Sequence, residues 1–337
     1  MYKLGIVGLG NIAYRYSKPE DPYPYCHVGG ARKCERVEVV AAADLDPERR
    51  QEFNDAWGPV RLYDDGQKMF DEEDLDIIAV CVRGPLHEKI ALQAIAAGPK
   101  VVFQEKPAGC SLEQVDNVHR AATDKGVFVV MSHTRHWGPH VIRMADLIQD
   151  GLVGQVESVV GYCGGGVLSF SVHETDMICQ FAGLDPISVA AQTVAPEADV
   201  PEGYEVEPRI QGALIRYASG VLGMHVGAKG ANGTFCVDVN GDEGRAFVPF
   251  YGVPKAWDKD GKEIPEDKLA LPPKASPFLV AYEQIADYLD SGNEPHCGPD
   301  VYRPVNEIAF GTIESGISGQ TVSLPCAKRD RLIFANG

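Results

Sequence analysis

Three small residues at fixed spacing, Gly8, Gly10 and Ala13, follow directly on an apolar run near the start of the chain. The apolar run predicts a buried strand, and the glycines predict a tight turn into a helix. Gly10, with Asn11 and Ile12 after it, lets the backbone approach a pyrophosphate because no Cβ intervenes, and the helix start offers unpaired N–H groups. Alone, these glycines are equally typical of a plain turn. The pattern of the rest of the chain must therefore distinguish a phosphate-binding turn from an ordinary one.

Four further apolar runs follow, with helical patterns between them, and they cover residues 37–44, 76–82, 100–107 and 127–131. Near-continuous apolar strands that alternate with helices predict a parallel sheet covered on both faces. One segment, residues 14–36, interrupts this order. It contains Pro19, Pro22 and Pro24, which forbid a continuous helix, so it predicts a loop inserted around the first helix.

Asp44 closes the second apolar run. A carboxylate at this place in a dinucleotide-binding sheet accepts hydrogen bonds from the ribose hydroxyls and repels a 2′-phosphate. Its interval from Gly10 is longer than the usual ~20 residues, which fits the inserted loop. Asp44 therefore predicts NAD rather than NADP. The alternative is that Asp44 merely begins the turn into the helix that Asp46 and Pro47 open.

Two strand ends carry residues suited to chemistry. Arg83 and His87 follow the run at 76–82, and Glu105, Lys106 and Pro107 close the run at 100–107. Ligands of parallel sheets bind beyond the carboxyl ends of the strands. Pro107 biases Lys106 toward an extended conformation and is a candidate for a cis peptide bond, which would hold the ammonium in one direction. The alternative for Lys106 is an ordinary solvated lysine.

Length, charge and cysteine usage narrow the class of protein. A chain of 337 residues favours two domains, and a net charge of −17 argues against nucleic acid and anionic membranes as partners. The nine cysteines include no C-x-x-C pair, which favours free thiols in a reducing compartment over a disulfide framework or a zinc site. With no apolar span and no signal peptide in view, we expect a cytoplasmic protein.

Five motifs in order resemble the Gfo/Idh/MocA family, named for glucose–fructose oxidoreductase and inositol dehydrogenase. They are GLGNIA at 8–13 with Asp44, PLH at 85–87, EKP at 105–107, RHW at 135–137, and GGG at 164–166 leading to His173 and Asp176. The resemblance covers nearly the whole chain. It implies a Rossmann domain with a doubly wound parallel sheet (1–131) and a C-terminal α+β domain with a large, mostly antiparallel open sheet (132–337).

The second half of the sequence agrees with this division. Short alternating segments predict strands, turn residues separate them, and they cover residues 187–194, 211–217, 221–226 and 234–239. Residues 251–277 are rich in Pro, Lys and Asp and predict a long exposed loop. Two helical patterns close the chain, at 278–290 and 304–318.

The resemblance also implies a reaction, the transfer of a hydride between nicotinamide and a carbon that bears a hydroxyl on a sugar, cyclitol or polyol. Lys106 would contact the substrate oxygen and the nicotinamide ribose, and His173 would be the acid–base. Asp176 lies at i+3 from His173 on one predicted helix, so both project from the same face. A packed structural histidine and a surface carboxylate are the alternatives. The expected cofactor contacts are Gly8, Gly10, Asn11, Ile12, Asp44, Arg83, His87, Glu105 and Lys106.

Ser169 departs from the family pattern, in which many dehydrogenases carry an aspartate four residues before the histidine. A serine can hydrogen-bond a sugar hydroxyl but cannot act as a carboxylate base. Together with His173, we expect Arg135, Trp137 and Ser169 to contact substrate, and Arg83 with Arg135 makes an anionic sugar worth testing. The histidines at 133, 136 and 140 lack a supporting acid cluster, so no metal is expected.

Three functions compete at this point. The first is an NAD-dependent sugar or polyol dehydrogenase. The second is an NAD-dependent glycoside hydrolase that oxidises its substrate transiently. The departure from the family pattern at Ser169 is the reason to consider it. The third is a non-catalytic NAD or sugar sensor, which would need neither Lys106 nor His173. The resemblance also implies a homodimer or homotetramer built through the open face of the second sheet.

Overall fold

The computed structural model describes residues 1–227 and 235–335, and the chain divides into two compact units. Unit 1 comprises Met1–Gly109, Gln114–Trp137 and Ala275–Pro299. Unit 2 comprises Cys110–Glu113, Gly138–Lys274 and Asp300–Gly337. The segment Ala275–Pro299, expected in the second domain, thus belongs to unit 1.

Unit 1 contains a six-stranded sheet in which every neighbouring pair of strands is parallel. Its strands are β1 (Tyr2–Val7), β2 (Val37–Ala43), β3 (Arg61–Tyr63), β4 (Ile77–Val80), β5 (Val101–Glu105) and β6 (Phe128–Ser132). The order across the sheet is β3-β2-β1-β4-β5-β6. The direction of winding therefore reverses between β1 and β4.

The strands at the centre of this sheet are buried along their whole length, as in β4 and β5, because helices cover both faces. The helices that alternate with the strands are α1 (His27–Lys33), α2 (Pro47–Trp57), α3 (Gly66–Glu72), α4 (Gly84–Ala97) and α5 (Leu112–Lys125). Asp46 caps α2 by accepting from the Glu48 N–H at 2.9 Å. This architecture confirms the doubly wound sheet expected from the sequence.

The glycine turn opens a single π-helical turn, Asn11–Arg15, rather than the full helix expected there. The first α-helix, α1, comes only after Pro24 and lies inside the segment 14–36, which was expected to form a loop. A later helix, α9 (Pro277–Ser291), completes this side of unit 1. At Gly30 in α1 a Cβ would lie 2.3 Å from the Phe278 Cβ, so glycine is what lets α1 and α9 pack closely.

Unit 2 is built on an eight-stranded sheet in the order β14-β13-β12-β7-β11-β10-β8-β15. Its strands are β7 (Val156–Tyr162), β8 (Pro186–Val194), β10 (Arg209–Tyr217), β11 (Leu222–Val226), β12 (Cys236–Gly241), β13 (Gly244–Pro249), β14 (Lys255–Asp258) and β15 (Val322–Ser323). The pairs are antiparallel except β7 with β11. A two-stranded sheet joins β9 (Glu205–Val206) to β16 (Ile333–Phe334).

The helices of unit 2 are α6 (Pro139–Gln149), α7 (Val172–Ala182), α8 (Glu266–Leu269) and α10 (Pro299–Ser318). Helix α7 packs on one face of the sheet, where Ile178 lies against Gly161 and Gly223. The other face leaves Leu214, Leu222 and Val226 about two-fifths exposed. The mixed, mostly antiparallel sheet confirms the second half of the expected fold class.

Some details differ from the sequence prediction. The strands that were not predicted are β3, β7, β9, β13, β14, β15 and β16, and the loop expected over residues 251–277 contains β14 and α8. Helix α10 starts at Pro299 and continues through Pro304. The predicted start of one strand at Thr234 lies outside the described residues.

Two sequence-level observations have a structural counterpart. All nine cysteines fall in the described ranges and are free thiols, eight of them buried. Among the helices of residues 1–227 and 235–335, none combines the length and the apolar character that a bilayer crossing requires.

Candidate active site

The glycine turn lies at the carboxyl end of β1, beside the carboxyl end of β4. Gly8 has φ +89°, and a Cβ there would lie 2.7 Å from the Cys81 carbonyl carbon, so both its conformation and its packing require glycine. At Gly10 a Cβ would meet nothing within 4 Å. Asn11 is exposed and Ile12 half-buried. The turn thus presents accessible backbone at the switch point of the sheet, where doubly wound folds bind dinucleotides.

Asp44 follows β2 and its carboxylate reaches the glycine turn. Oδ2 accepts from the Leu9 N–H at 2.6 Å, and Oδ1 accepts from the Asp46 N–H at 2.9 Å. The two roles considered for Asp44 are therefore compatible, because it begins the turn into α2 while touching the glycine turn. Arg49 Nη1 lies 3.9 Å from Asp44 Oδ2, so a positive group is also close to this carboxylate.

Arg83 and His87 occupy different environments in helix α4. Arg83 is the exposed N-cap residue. His87 is fully buried, with Nδ1 2.5 Å from the Pro107 carbonyl oxygen and Nε2 2.7 Å from that of Val82. Burial lowers the pKa of His87, and the two carbonyl contacts oppose that shift. His87 thus joins the loops that follow β4 and β5, whereas Arg83 has a side chain open to solvent.

Glu105 ends β5 and is 4% exposed. Its Oε1 lies 3.0 Å from His27 Nε2, and His27 Nδ1 lies 2.9 Å from the Tyr282 hydroxyl. With the proton on Nε2, the ring donates to the carboxylate and accepts from the tyrosine. Burial by itself raises the pKa of Glu105, but the hydrogen bond from His27, together with Lys106 and Ser132, brings the pKa below its ordinary value. The carboxylate is therefore held ionised inside unit 1.

Lys106 follows immediately and is half-buried, and its peptide bond to Pro107 is cis. Because β1, β4 and β5 are adjacent and parallel, Lys106 lies at the same sheet edge as the glycine turn. This edge brings together the expected cofactor contacts from Gly8 to Lys106. Neither His27 nor Tyr282 was expected in this network, since His27 lies in the proline-rich segment and Tyr282 is distant in sequence.

The segment after β6 carries two expected substrate residues in unlike positions. Arg135 is 8% exposed, its Nη1 donates to Thr134 Oγ1 at 2.9 Å, and its guanidinium lies 6.0 Å from the Tyr25 ring centre. Trp137 is fully buried, packs edge-on against Phe103 and donates its indole N–H to Gln284 at 3.1 Å. The structure therefore places Trp137 in the core of unit 1.

In unit 2, His173 and Asp176 lie in the first turns of α7 and are 2% and 0% exposed. Their i, i+3 spacing puts them on one side of the helix, as expected. Glu174, between them, is also fully buried, and its Oε1 accepts from the Tyr162 N–H at 3.1 Å. A single π-helical turn, Val167–Ser171, precedes α7 and contains Ser169.

Ser169 has a carboxylate partner that no sequence pattern indicates. Its hydroxyl donates to Glu207 Oε2 at 2.6 Å, and its N–H donates to Glu207 Oε1 at 2.6 Å. Glu207 lies 38 residues further along the chain, between β9 and β10. No local spacing signals such a pair, so only the fold brings it together.

The sheet order and the glycine turn at its switch point define a Rossmann-type dinucleotide-binding protein. Comparison with known proteins narrows this class. Residues 2–133 match the Gfo/Idh/MocA model, described as an oxidoreductase family with an NAD-binding Rossmann fold. Over residues 2–133 this match agrees with the resemblance drawn from the sequence.

Two curated relatives are a D-apiose dehydrogenase of Paraburkholderia graminis, 28% identical over 128 residues, and an inositol 2-dehydrogenase of Rhizobium meliloti, 26% identical over 204 residues. The matches cover 38% and 56% of this chain and only 34% and 57% of the relatives. A solved aldose-aldose oxidoreductase from Caulobacter crescentus, complexed with glycerol, has the same fold, with a TM-score of 0.79, 20% identity and coverage of 96% and 99% of the two chains.

Proposed function

We propose that the protein is an NAD-dependent dehydrogenase that transfers a hydride between nicotinamide and a secondary hydroxyl of a sugar, sugar acid or polyol. The observation that carries the proposal is the half-buried Lys106 at the same edge of the parallel sheet as the glycine turn. A cation at this edge suits a reaction in which negative charge develops on a substrate oxygen. The names of the apiose and inositol relatives support a hydroxylated substrate.

Oxidation of an alcohol removes a hydride from carbon and a proton from oxygen. Bound nicotinamide supplies the hydride acceptor. Lys106 stabilises the developing alkoxide, and His173 takes the hydroxyl proton. The buried Asp176 carboxylate, one helical turn from His173, favours the protonated imidazole that results. In the reverse direction the same residues return the proton.

The preference for NAD rests on Asp44. Its carboxylate lies against the glycine turn through the Leu9 N–H, where it favours free ribose hydroxyls over a 2′-phosphate. We assign the exposed Arg83 to the cofactor or to an anionic group of the substrate, and Arg135 to the substrate. Trp137, whose ring is fully buried, fixes the segment that carries Arg135.

We also propose a homodimer or homotetramer. The support is the face of the unit 2 sheet opposite α7, where Leu214, Leu222 and Val226 remain exposed. No contact among the described residues favours the hydrolase or the sensor alternative. The charge of −17 continues to disfavour nucleic acid as a partner.

The test is reduction of NAD and NADP by the purified protein with a panel of aldoses, uronic acids and cyclitols that includes D-apiose and myo-inositol. We expect NADH formation with at least one of them. Release of an aglycone from glycosides without net NADH formation would instead indicate the hydrolase. Tight NAD binding with neither reaction would indicate the sensor.

A further inference from the structure

Glu207 places a carboxylate on the helical turn that leads to His173. Its Oε1 accepts from the N–H groups of Leu168 and Ser169, both at 2.6 Å, and its Oε2 accepts from the Ser169 hydroxyl at 2.6 Å. Glu207 and Ser169 are both half-buried. The contact thus uses both carboxylate oxygens and orients both the backbone and the side chain of Ser169.

The local sequence leaves room for this carboxylate. The helical run begins after Gly166, which has no side chain to cap the first N–H groups. A Cβ at Gly166 would lie 2.5 Å from both Glu207 Oε2 and Ser169 Oγ. The Val167 N–H donates to the Pro208 carbonyl at 3.1 Å, which fixes the segment of Glu207 against the turn. Glu207 therefore supplies, from the connection between β9 and β10, the acceptor that the turn lacks.

The orientation of the Ser169 hydroxyl has a chemical consequence. Because its proton points to Glu207, its oxygen acts toward a ligand as an acceptor, strengthened by the negative charge behind it. Ser169 precedes His173 by four residues on one helical run, so the two side chains project from one side of it. A hydroxyl that donates to Ser169 would then neighbour the hydroxyl that His173 deprotonates.

We propose that Glu207 is a positioning residue that acts through Ser169 to select substrates with a hydroxyl adjacent to the one oxidised. This inference rests on the proposed dehydrogenase function and deepens it. A site built to bond a substrate hydroxyl discriminates strongly against the analogue that lacks it, since the polar group of the site is then left unpaired. A purely structural cap would hold the turn without any use for the serine oxygen.

The experiment compares Ser169→Ala, Glu207→Gln and the double variant with the wild type. The control is Glu202→Gln, which removes an exposed carboxylate from the same segment. With the best substrate of the panel, each single variant should lose about 30-fold in kcat/KM, mainly through KM, and the double variant should be no worse than either. The wild type should reject the analogue of that substrate that lacks the hydroxyl adjacent to the oxidised one. The variants should accept this analogue nearly as well as they accept the complete substrate.

Ser169→Ala with wild-type kcat/KM, or additive losses in the double variant, would overturn the inference while leaving the dehydrogenase proposal intact. If the wild type turns over no substrate, the dehydrogenase proposal fails. Saturation-transfer NMR with myo-inositol in the presence of NADH then tests whether Glu207 and Ser169 form a subsite for a ligand hydroxyl. A signal that Glu207→Gln and Ser169→Ala abolish supports the subsite, and a signal unchanged by both, or absent from the wild type, overturns it.

Discussion

Glu105 in unit 1 and Glu207 in unit 2 each support a segment proposed to act on substrate, but they are held in opposite ways. Glu105 is 4% exposed and bonds to the ring of His27, which in turn bonds to Tyr282. Glu207 is half-buried and accepts two backbone N–H groups and one hydroxyl. One carboxylate depends on a buried side chain, and the other depends on the start of a helix.

The difference in burial between the two carboxylates predicts which of them matters for stability and which for ligand binding. A buried carboxylate cannot be solvated, so removal of its partner leaves a costly unpaired charge. A half-buried carboxylate keeps access to water, so its loss costs the fold little even where it matters for the ligand. We therefore expect changes around Glu105 to affect unfolding and changes around Glu207 to affect substrate selection.

The largest expected effect is at Lys106, beside Glu105. Lys106→Met should lower kcat/KM by about 10⁴-fold, since it removes both charge stabilisation and a proton path. NADH fluorescence titration should show only a small loss of cofactor affinity, since Lys106 is one of several expected cofactor contacts. Lys100→Met is the matched control, because Lys100 lies at the opposite end of β5 and pairs with Asp76 at 3.2 Å. Activity of Lys106→Met within tenfold of the wild type would contradict the assignment.

The second prediction tests the buried support of Glu105. His27→Phe should lower the free energy of unfolding by about 3 kcal/mol, since it removes the ring that bonds both the buried Glu105 carboxylate and the Tyr282 hydroxyl. Urea unfolding with amide exchange of peptides in β5 measures the change. His27→Phe with Glu105→Gln should recover part of the loss, whereas Glu207→Gln should cost less than about 1 kcal/mol. Equal losses at His27 and Glu207 would break the comparison.

The third prediction concerns His225, a buried histidine of unit 2. Its Nε2 lies 2.9 Å from the Cys163 carbonyl oxygen. Burial lowers the pKa of His225 from 6.5 to about 4. The unfolded chain takes up this proton first as the pH falls, so stability is fully present above pH 6.5 and is lost toward pH 4. The loss should reach about 3 kcal/mol and disappear in His225→Asn. Amide exchange of peptides in β11 across this pH range measures it.

The smallest expected effect concerns cofactor choice. Asp44→Asn keeps the side-chain acceptor for the Leu9 N–H but removes the charge. We expect the preference for NAD over NADP, measured as the ratio of kcat/KM values, to fall about 10-fold, which corresponds to roughly 1.4 kcal/mol. Asp46→Asn, which changes the neighbouring cap of α2, should leave the ratio unchanged. A ratio unaffected by Asp44→Asn would remove the support for NAD specificity.

The sequence predicted the parts of the molecule whose signals are local. An apolar run with glycines at fixed spacing identified β1 and its turn, and Glu105 with Lys106 was visible because the two are adjacent. The doubly wound sheet followed from repeated patterns of the same kind. Strand β3 was missed because it has three residues, of which one is buried.

The parts that could not be predicted depend on contacts between distant residues. Glu207 meets Ser169 across 38 positions, and His27 meets Glu105 across 78 and Tyr282 across 255. Such pairs follow from how strands and helices are stacked rather than from any spacing in the chain. Trp137 is a further case: an indole beside an arginine suggested a ligand pocket, and the structure buries the ring fully in unit 1.

The packing of α1 against α9 has a consequence for synthesis on the ribosome. Gly30 and Phe278 are neighbours in unit 1, yet most of unit 2 lies between them in the chain. Unit 1 is thus the first to begin translation but is completed late. Its helix α1 lacks its packing partner α9 until residues 277–291 have been synthesised. A gene fragment that stops after β6 would encode a sheet with part of its shell missing, and a usable isolated unit would require residues 275–299 to be joined to it.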